Sequence, residues 1–130
     1  LGEVGEVRGK YPVKITSGGL KLGASSDSTS VYYARKLGFK TVLNLTNVAG
    51  VYDRNPNRFK NAKLIPRMSW AQFMRQFGSS RKPGQHKPFD PSAAKLAEKL
   101  GIKVVILNGR DIKNLKRFFD GQAFKGTIIE

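Results

Sequence analysis

Apolar residues along this chain follow two rhythms. One is the short, continuous, β-branched run of a buried parallel strand. Residues 40–46 (KTVLNLT) and 102–107 (IKVVIL) have it, and residues 126–129 (GTII) form a closing strand. The other is the 3.6-residue spacing of helices with one apolar face. Val31, Ala34 and Leu37 share such a face, after the capping residues Ser25-Ser26-Asp27 and before a stop at Gly38. Trp70, Phe73, Met74 and Phe77 make a core-facing stripe behind a Ser69 cap. Ala93, Leu96, Ala97 and Leu100 follow Asp90-Pro91, with proline at the first helical position and Gly101 at the end. In a last helix, after the turn 108–111 and before Gly121, Ile112, Leu115, Phe118 and Phe119 are predicted to face inward. Residues 11–15 and 63–65 are weaker strand candidates, and residues 1–10 show three glycines and no clear period.

Strands alternating with helices in this order predict an α/β layer structure with a largely parallel sheet and right-handed crossovers. At 130 residues the chain holds one domain with a core of its own, over residues 1–130, and not two.

The polar interruptions carry the candidate chemistry. Residues 16–26 are a Gly/Ser-rich loop in which Gly18, Gly19 and Gly23 let backbone approach an anion closely. The loop runs into a helix start, where free N–H groups and the helix dipole favour phosphate. It has no Walker lysine-serine pair, so a simple capped turn accounts for the same residues equally well. Residues 43–56 (LNLTNVAGVYDRNP) are a strand that breaks into a loop. Ligands of open α/β sheets sit outside the carboxyl ends of strands. A hydroxyl at Thr46, a phenol at Tyr52, a carboxylate at Asp53 and an amide at Asn55 can hold a nucleotide there. Residues 78–90 form the longest polar loop, with Arg81, Lys82, His86 and Lys87 available to solvent or to phosphate.

Charge adds a second theme. Lys plus Arg is 24 against 9 for Asp plus Glu, a formal net charge of +15. Such an excess concentrates polyanions, RNA included, although the basic residues are scattered and form no tail. Cys 0 excludes disulfides and thiolate metal sites, and a single histidine argues against a His-based metal site or a Ser-His-Asp triad. There is no membrane-length apolar run and no signal-peptide pattern, so a cytoplasmic location is expected. A chain that opens on Leu1 is either processed or part of a longer product.

From about Gly18 to the last residue the chain resembles the amino-acid-kinase superfamily, and within it the archaeal-type UMP kinases. The pieces that carry this are GGLKLGASSD, TNVAGVYDRNP, KPFDPSAAKLAEKLGIKVVILNGRD and FKGTIIE, in the family's order. The resemblance implies a three-layer sandwich with a largely parallel sheet, the N-terminal half of the family fold being absent. This chain would correspond to the C-terminal, ATP-binding part. The implied activity is phosphoryl transfer from ATP to UMP with Mg²⁺, in pyrimidine nucleotide biosynthesis, by a homo-oligomer when complete. By matching positions, Gly18, Gly19, Gly23, Ser25 and Ser26 would bind UMP and its phosphate. Asp27 would be the catalytic carboxylate that orients lysines, and Thr46, Tyr52 and Asn55 would bind ATP. No residue is implied as a metal ligand. The chain departs from the pattern in having Ala49 and Asn55 where the family has Asp, and Leu22 where a proline is common.

The absent half would supply the phosphate-neutralising lysine, without which the transition-state clamp is incomplete. Whether the chain is an enzyme is therefore open from its sequence. The alternative is a catalytically inactive, kinase-derived basic protein that binds RNA, as a ribonucleoprotein or ribosome component. A third reading is a basic α/β domain that binds nucleotides only as a sensor or for stability.

Overall fold

The computed structural model describes residues 4–7, 13–16, 24–78 and 87–130. Two strands, β1 (Val4–Val7) and β2 (Val13–Thr16), pair antiparallel, Val4 opposite Thr16. The second falls close to the expected strand at 11–15, whereas the first lies in the stretch without a period.

The rest builds a four-stranded sheet with helices against it. In chain order come α1 (Ser26–Lys36), β3 (Thr41–Thr46), β4 (Arg67–Met68), α2 (Trp70–Phe77), α3 (Pro91–Leu100), β5 (Lys103–Asn108), α4 (Ile112–Phe119) and β6 (Thr127–Ile129). The sheet order is β3-β5-β6-β4. β3–β5 and β4–β6 are parallel, and β5–β6 is antiparallel. The structure is thus an α/β layer fold with a mostly parallel sheet, as expected. The candidate strand at 63–65 proves to be a single bridge, Tyr52 to Leu64.

Helix boundaries follow side-chain chemistry. Ser25, Ser69, Asp90 and Asp111 each accept from an N–H of the first turn they precede, and Ser69 with Gln72 completes a reciprocal capping box. Gly101, at φ +61°, ends α3 in the left-handed conformation that suits glycine.

One face of the sheet forms the main core. Val42, Val104, Ile106 and Ile129 pack with Val31 and Ala34 of α1, with Trp70, Phe73 and Phe77 of α2, and with Ala93, Ala94 and Ala97 of α3. Val105 and Leu107 are buried on the opposite face, so β5 is covered on both sides. α4 corrects one expectation: Ile112 and Phe119 are exposed, and the buried residue of that helix is Asn114. The Asn114 carboxamide donates to Lys125 O and accepts from Lys125 N, both at 2.7 Å. This peptide-like pairing ties α4 to the return segment before β6, and the Phe118–Phe124 edge contact reinforces it. Ile112 and Phe119 are left pointing outward, with Leu115 and Phe118 half-buried.

Candidate functional site

The loop that leaves β3 builds an open cleft. Its rim starts at Thr46, whose hydroxyl donates to Val48 O at 2.8 Å and accepts from Val48 N at 3.1 Å. The chain then runs beneath β6. A Cβ on Gly50 would sit 2.6 Å from Thr127 Oγ1, so only glycine passes there without displacing that side chain. The same buried hydroxyl accepts from Val51 N at 2.8 Å and donates to Ile65 O at 2.7 Å. Thr127 therefore clamps both arms of the excursion, and this gives a physical reason for pairing a glycine-bearing loop with a Gly-Thr strand.

Beyond the clamp the arms run antiparallel. Ile65 N donates to Val51 O at 2.8 Å, Asp53 N to Lys63 O at 3.0 Å, and Lys63 N to Asp53 Oδ1 at 2.8 Å. That last bond, with Arg54 3.4 Å away, holds the Asp53 carboxyl below its usual range. Asn55 Oδ1 accepts from Asn57 N at 2.9 Å and begins a helical turn after Pro56. From α2, Gln76 Nε2 donates to Tyr52 O at 2.7 Å. Asn44 Nδ2 of β3 holds Pro88 O at 3.0 Å, which seats Pro88 against the far wall.

The cleft has a volume of about 290 Å³. That is near the lower end, roughly 300 Å³, for small-molecule sites, and suits one portion of a nucleotide. Its lining combines Tyr52, Phe77 and Pro88 with the amides Asn47, Asn55 and Gln76 and the cation Arg54. Flat apolar surface beside a few amides can hold a planar base, and the guanidinium can meet an anionic group. Of the expected ATP residues, Tyr52 and Asn55 line the cleft together. Thr46 does not line it and instead shapes its rim. The structure adds Asn47, Arg54 and Gln76 to them. Asn47 and Arg54 lie inside the loop that the sequence marks, whereas nothing in the spacing of α2 marks Gln76.

A second cluster joins the starts of α1 and α3. Ser25 Oγ donates to Asp90 Oδ2 at 3.1 Å, and Asp90 N donates to Asp27 Oδ2 at 2.7 Å. Each helix is thus held by a capping group of the other. Burial pushes the Asp27 carboxyl up, and the nearby Asp90 carboxylate adds to this against the lowering effect of the Asp90 N–H. Burial alone would raise Asp90 too, but bonds from the Ser92 hydroxyl, the Ala93 N–H and the Ser25 hydroxyl outweigh it and hold that carboxyl low. Among the described residues, Asp27 takes a backbone N–H and no ammonium. Ser26 is exposed, and its carbonyl accepts from Ser30 Oγ. Gly18, Gly19 and Gly23, like Arg81, Lys82 and His86, lie outside the described residues. The two regions are adjacent in sequence through residues 88–90: Pro88 lines the cleft and Asp90 closes the cap junction.

A divalent cation would need a gathering of hard ligands. Among the described residues no three His, Asp or Glu side chains come together. The cleft lining has one carboxylate, Asp53, already committed to Lys63 N and Arg54. These residues do not make a metal site of their own. Mg²⁺ in such settings is carried largely by substrate phosphates.

A parallel-dominated sheet with a polar cleft beyond the carboxyl end of a strand is the arrangement of ligand-binding α/β proteins. The chain belongs to the amino acid kinase family, whose model matches residues 12–108. It is similar to the uridylate kinase of Hyperthermus butylicus, 34% identical over 115 residues, which are 88% of this chain and 50% of that protein. The uridylate kinase of Methanobrevibacter smithii is 31% identical over 116 residues, 88% of this chain and 52% of that protein. The crystal structure of uridylate kinase from Archaeoglobus fulgidus superposes with a TM-score of 0.68 at 29% identity, covering 83% of this chain and 48% of that one. The chain spans about half the length of the relatives it matches.

Proposed function

We propose that residues 1–130 are a single α/β domain that supplies the C-terminal, nucleotide-binding part of a UMP-kinase-like phosphotransferase. The observation that carries this is the cleft of Tyr52, Asn55 and Arg54 beyond β3, in a chain whose relatives are uridylate kinases. In this reading Tyr52 lies beside the adenine of ATP, and Asn55 donates to the nucleotide through its remaining amide hydrogens. Thr46 keeps the rim in shape. The glycine-rich segment with Gly18, Gly19 and Gly23, together with Ser25 and Ser26, receives UMP and its phosphate. Asp27 sits at the acceptor end, and Mg²⁺ arrives on the phosphates of ATP. A cytoplasmic location and a homo-oligomeric assembly accompany the reading.

The test is a thermal shift or calorimetric titration with ATP and UMP. ATP is expected to raise the melting temperature by mass action, and Tyr52→Ala to abolish the rise. If neither nucleotide shifts the transition, the proposal is overturned. The net charge of +15 favours one other reading, a non-catalytic protein that binds RNA. That reading expects RNA affinity that falls steeply with salt and ignores nucleotide.

A further inference from the structure

The excursion that Thr127 clamps continues past the cleft into a basic tip. Residues 54–63 (RNPNRFKNAK) hold four cations, three asparagines, one phenylalanine and no acid. Four cations in ten residues is about twice the density of 24 in 130 for the whole chain. The tip is built by its own backbone. Arg58 N and Phe59 N donate to Asn55 O at 3.1 and 3.0 Å, and Ala62 N donates to Phe59 O at 3.0 Å. Below it, the paired bonds of Asp53 and Lys63 close the two arms. Arg58, Phe59 and Lys60 are therefore presented on one fixed turn, and all three are exposed. A surface built this way does not have to be ordered on binding.

Phe59 is the unusual member. It is 48% exposed and has no place in the core. The Arg54 guanidinium stands 5.8 Å from its ring centroid, a cation–π contact that keeps the ring at the surface. Asn57 and Asn61, two residues before and after the ring, are exposed. The nearest carboxylate along the chain, Asp53, is already committed to Lys63 N and Arg54. Among the described residues Arg58, Lys60 and Lys63 make no ion pair. The other dense basic stretch among them, residues 110–117, differs. There Asp111 caps the helix, and Lys116 pairs with Asp120 at 2.6 Å.

We infer that this tip binds a single-stranded polynucleotide. The unpaired cations take its phosphates, Phe59 stacks on a base, and the asparagine amides reach base edges. Each part of the tip thus answers to a different part of that ligand. An acidic peptide would use the cations and leave the ring idle. An anionic membrane calls for a broader apolar face than one ring set among asparagines. A duplex hides the base faces that the ring needs. The inference rests on the RNA binding of the second reading above and gives it a place on the chain. It does not depend on ATP, since none of residues 58–63 lines the cleft.

Fluorescence anisotropy of the 130-residue chain with a labelled oligouridylate and a labelled oligothymidylate, each about twelve nucleotides long, tests this. Binding of either strand is expected, and the tighter one identifies the sugar. Phe59→Ala should weaken binding about fivefold or more and leave its salt dependence alone, since stacking releases no counterion. Arg58→Gln with Lys60→Gln should lower the slope of log affinity against log salt by about 1.4, about 0.7 for each lost phosphate contact. Lys113→Gln with Arg117→Gln removes the same charge from α4 and should leave that slope as in wild type. The ATP-induced melting shift should be the same in all three variants, because none of these residues lines the cleft. The inference fails if Phe59→Ala binds as wild type does, or if the α4 pair costs as much as the tip pair. RNA binding would then belong to the charge as a whole. If neither strand binds at about 0.05 M salt, the tip and the RNA reading fall together.

Discussion

At the scale of single residues, the site depends on polar atoms that each serve two partners. Thr127 is the clearest case. Thr127→Val keeps the shape but leaves Val51 N–H and Ile65 C=O without their hydroxyl. Leaving such buried groups unpaired costs about 1–3 kcal/mol each in general, so a net loss of about 2 kcal/mol is expected in urea unfolding, with Thr127→Ser restoring most of it. Asp27 offers a test of opposite sign. Its carboxyl is raised above 3.8, so the folded state holds that proton more tightly than the unfolded one. Stability contributed there falls as pH rises from 3.8 through the raised folded value. Asp27→Asn keeps an oxygen for Asp90 N–H and carries no proton to lose. Melting temperature against pH should show the Asp27→Asn variant gaining on wild type across that interval and holding the gain at neutrality. A variant that instead loses ground on wild type as pH rises would mean that Asp27 stabilises through its charge. Residue identities alone point to Tyr52 and Asn55, because a loop after a strand exposes what it carries. They cannot reveal that Thr46 folds back on Val48, nor that Gln76 reaches across from α2, since both depend on contacts the local pattern does not encode.

At the scale of elements, local and global signals agree for α1, α2, α3 and β5: the apolar pattern of each matches its burial, and each of these helices has a cap residue at its start. β3 has the pattern of a buried strand, but only Val42 is buried and Leu45 is 49% exposed. The signals disagree again at α4. Its stripe of Ile112, Leu115 and Phe119 has the period of a core helix, yet the helix is seated by the polar Asn114. A sequence shows that a face is apolar and not whether this chain holds what covers it. Strand β1 escapes the pattern for a related reason: four residues containing a glycine are too few to show a period. Asn114→Ala would leave both polar groups of Lys125 without their partner and free α4 from its return segment. We expect about 2 kcal/mol of destabilisation. Hydrogen exchange should accelerate first in residues 112–125, before β3 and β5 respond. Uniform acceleration through the whole sheet would instead mean that α4 and the sheet open as one unit.

At the scale of the whole molecule, a net charge of +15 on 130 residues repels itself. Few opposite charges temper it: the ion pairs among the described residues are at the surface, such as Lys103 with Glu130 at 2.6 Å and Lys116 with Asp120 at 2.6 Å. Raising salt from about 0.01 M to about 0.1 M shortens the screening length from about 30 Å to about 10 Å, so sodium chloride should raise the melting temperature. A phosphate-bearing ligand acts by a second route, since it binds one place and saturates. At constant ionic strength, ATP should add a further rise that levels off with concentration. Tyr52→Ala should remove that increment and leave the salt response intact, because the substitution leaves the count of 24 Lys plus Arg against 9 Asp plus Glu unchanged. RNA binding, if the charge serves it, would persist in the same variant and collapse between low and moderate salt. A melting temperature that depends on ionic strength alone, identical for ATP and for sodium sulfate in wild type and variant, would leave the cleft beyond β3 without a nucleotide and sink its assignment.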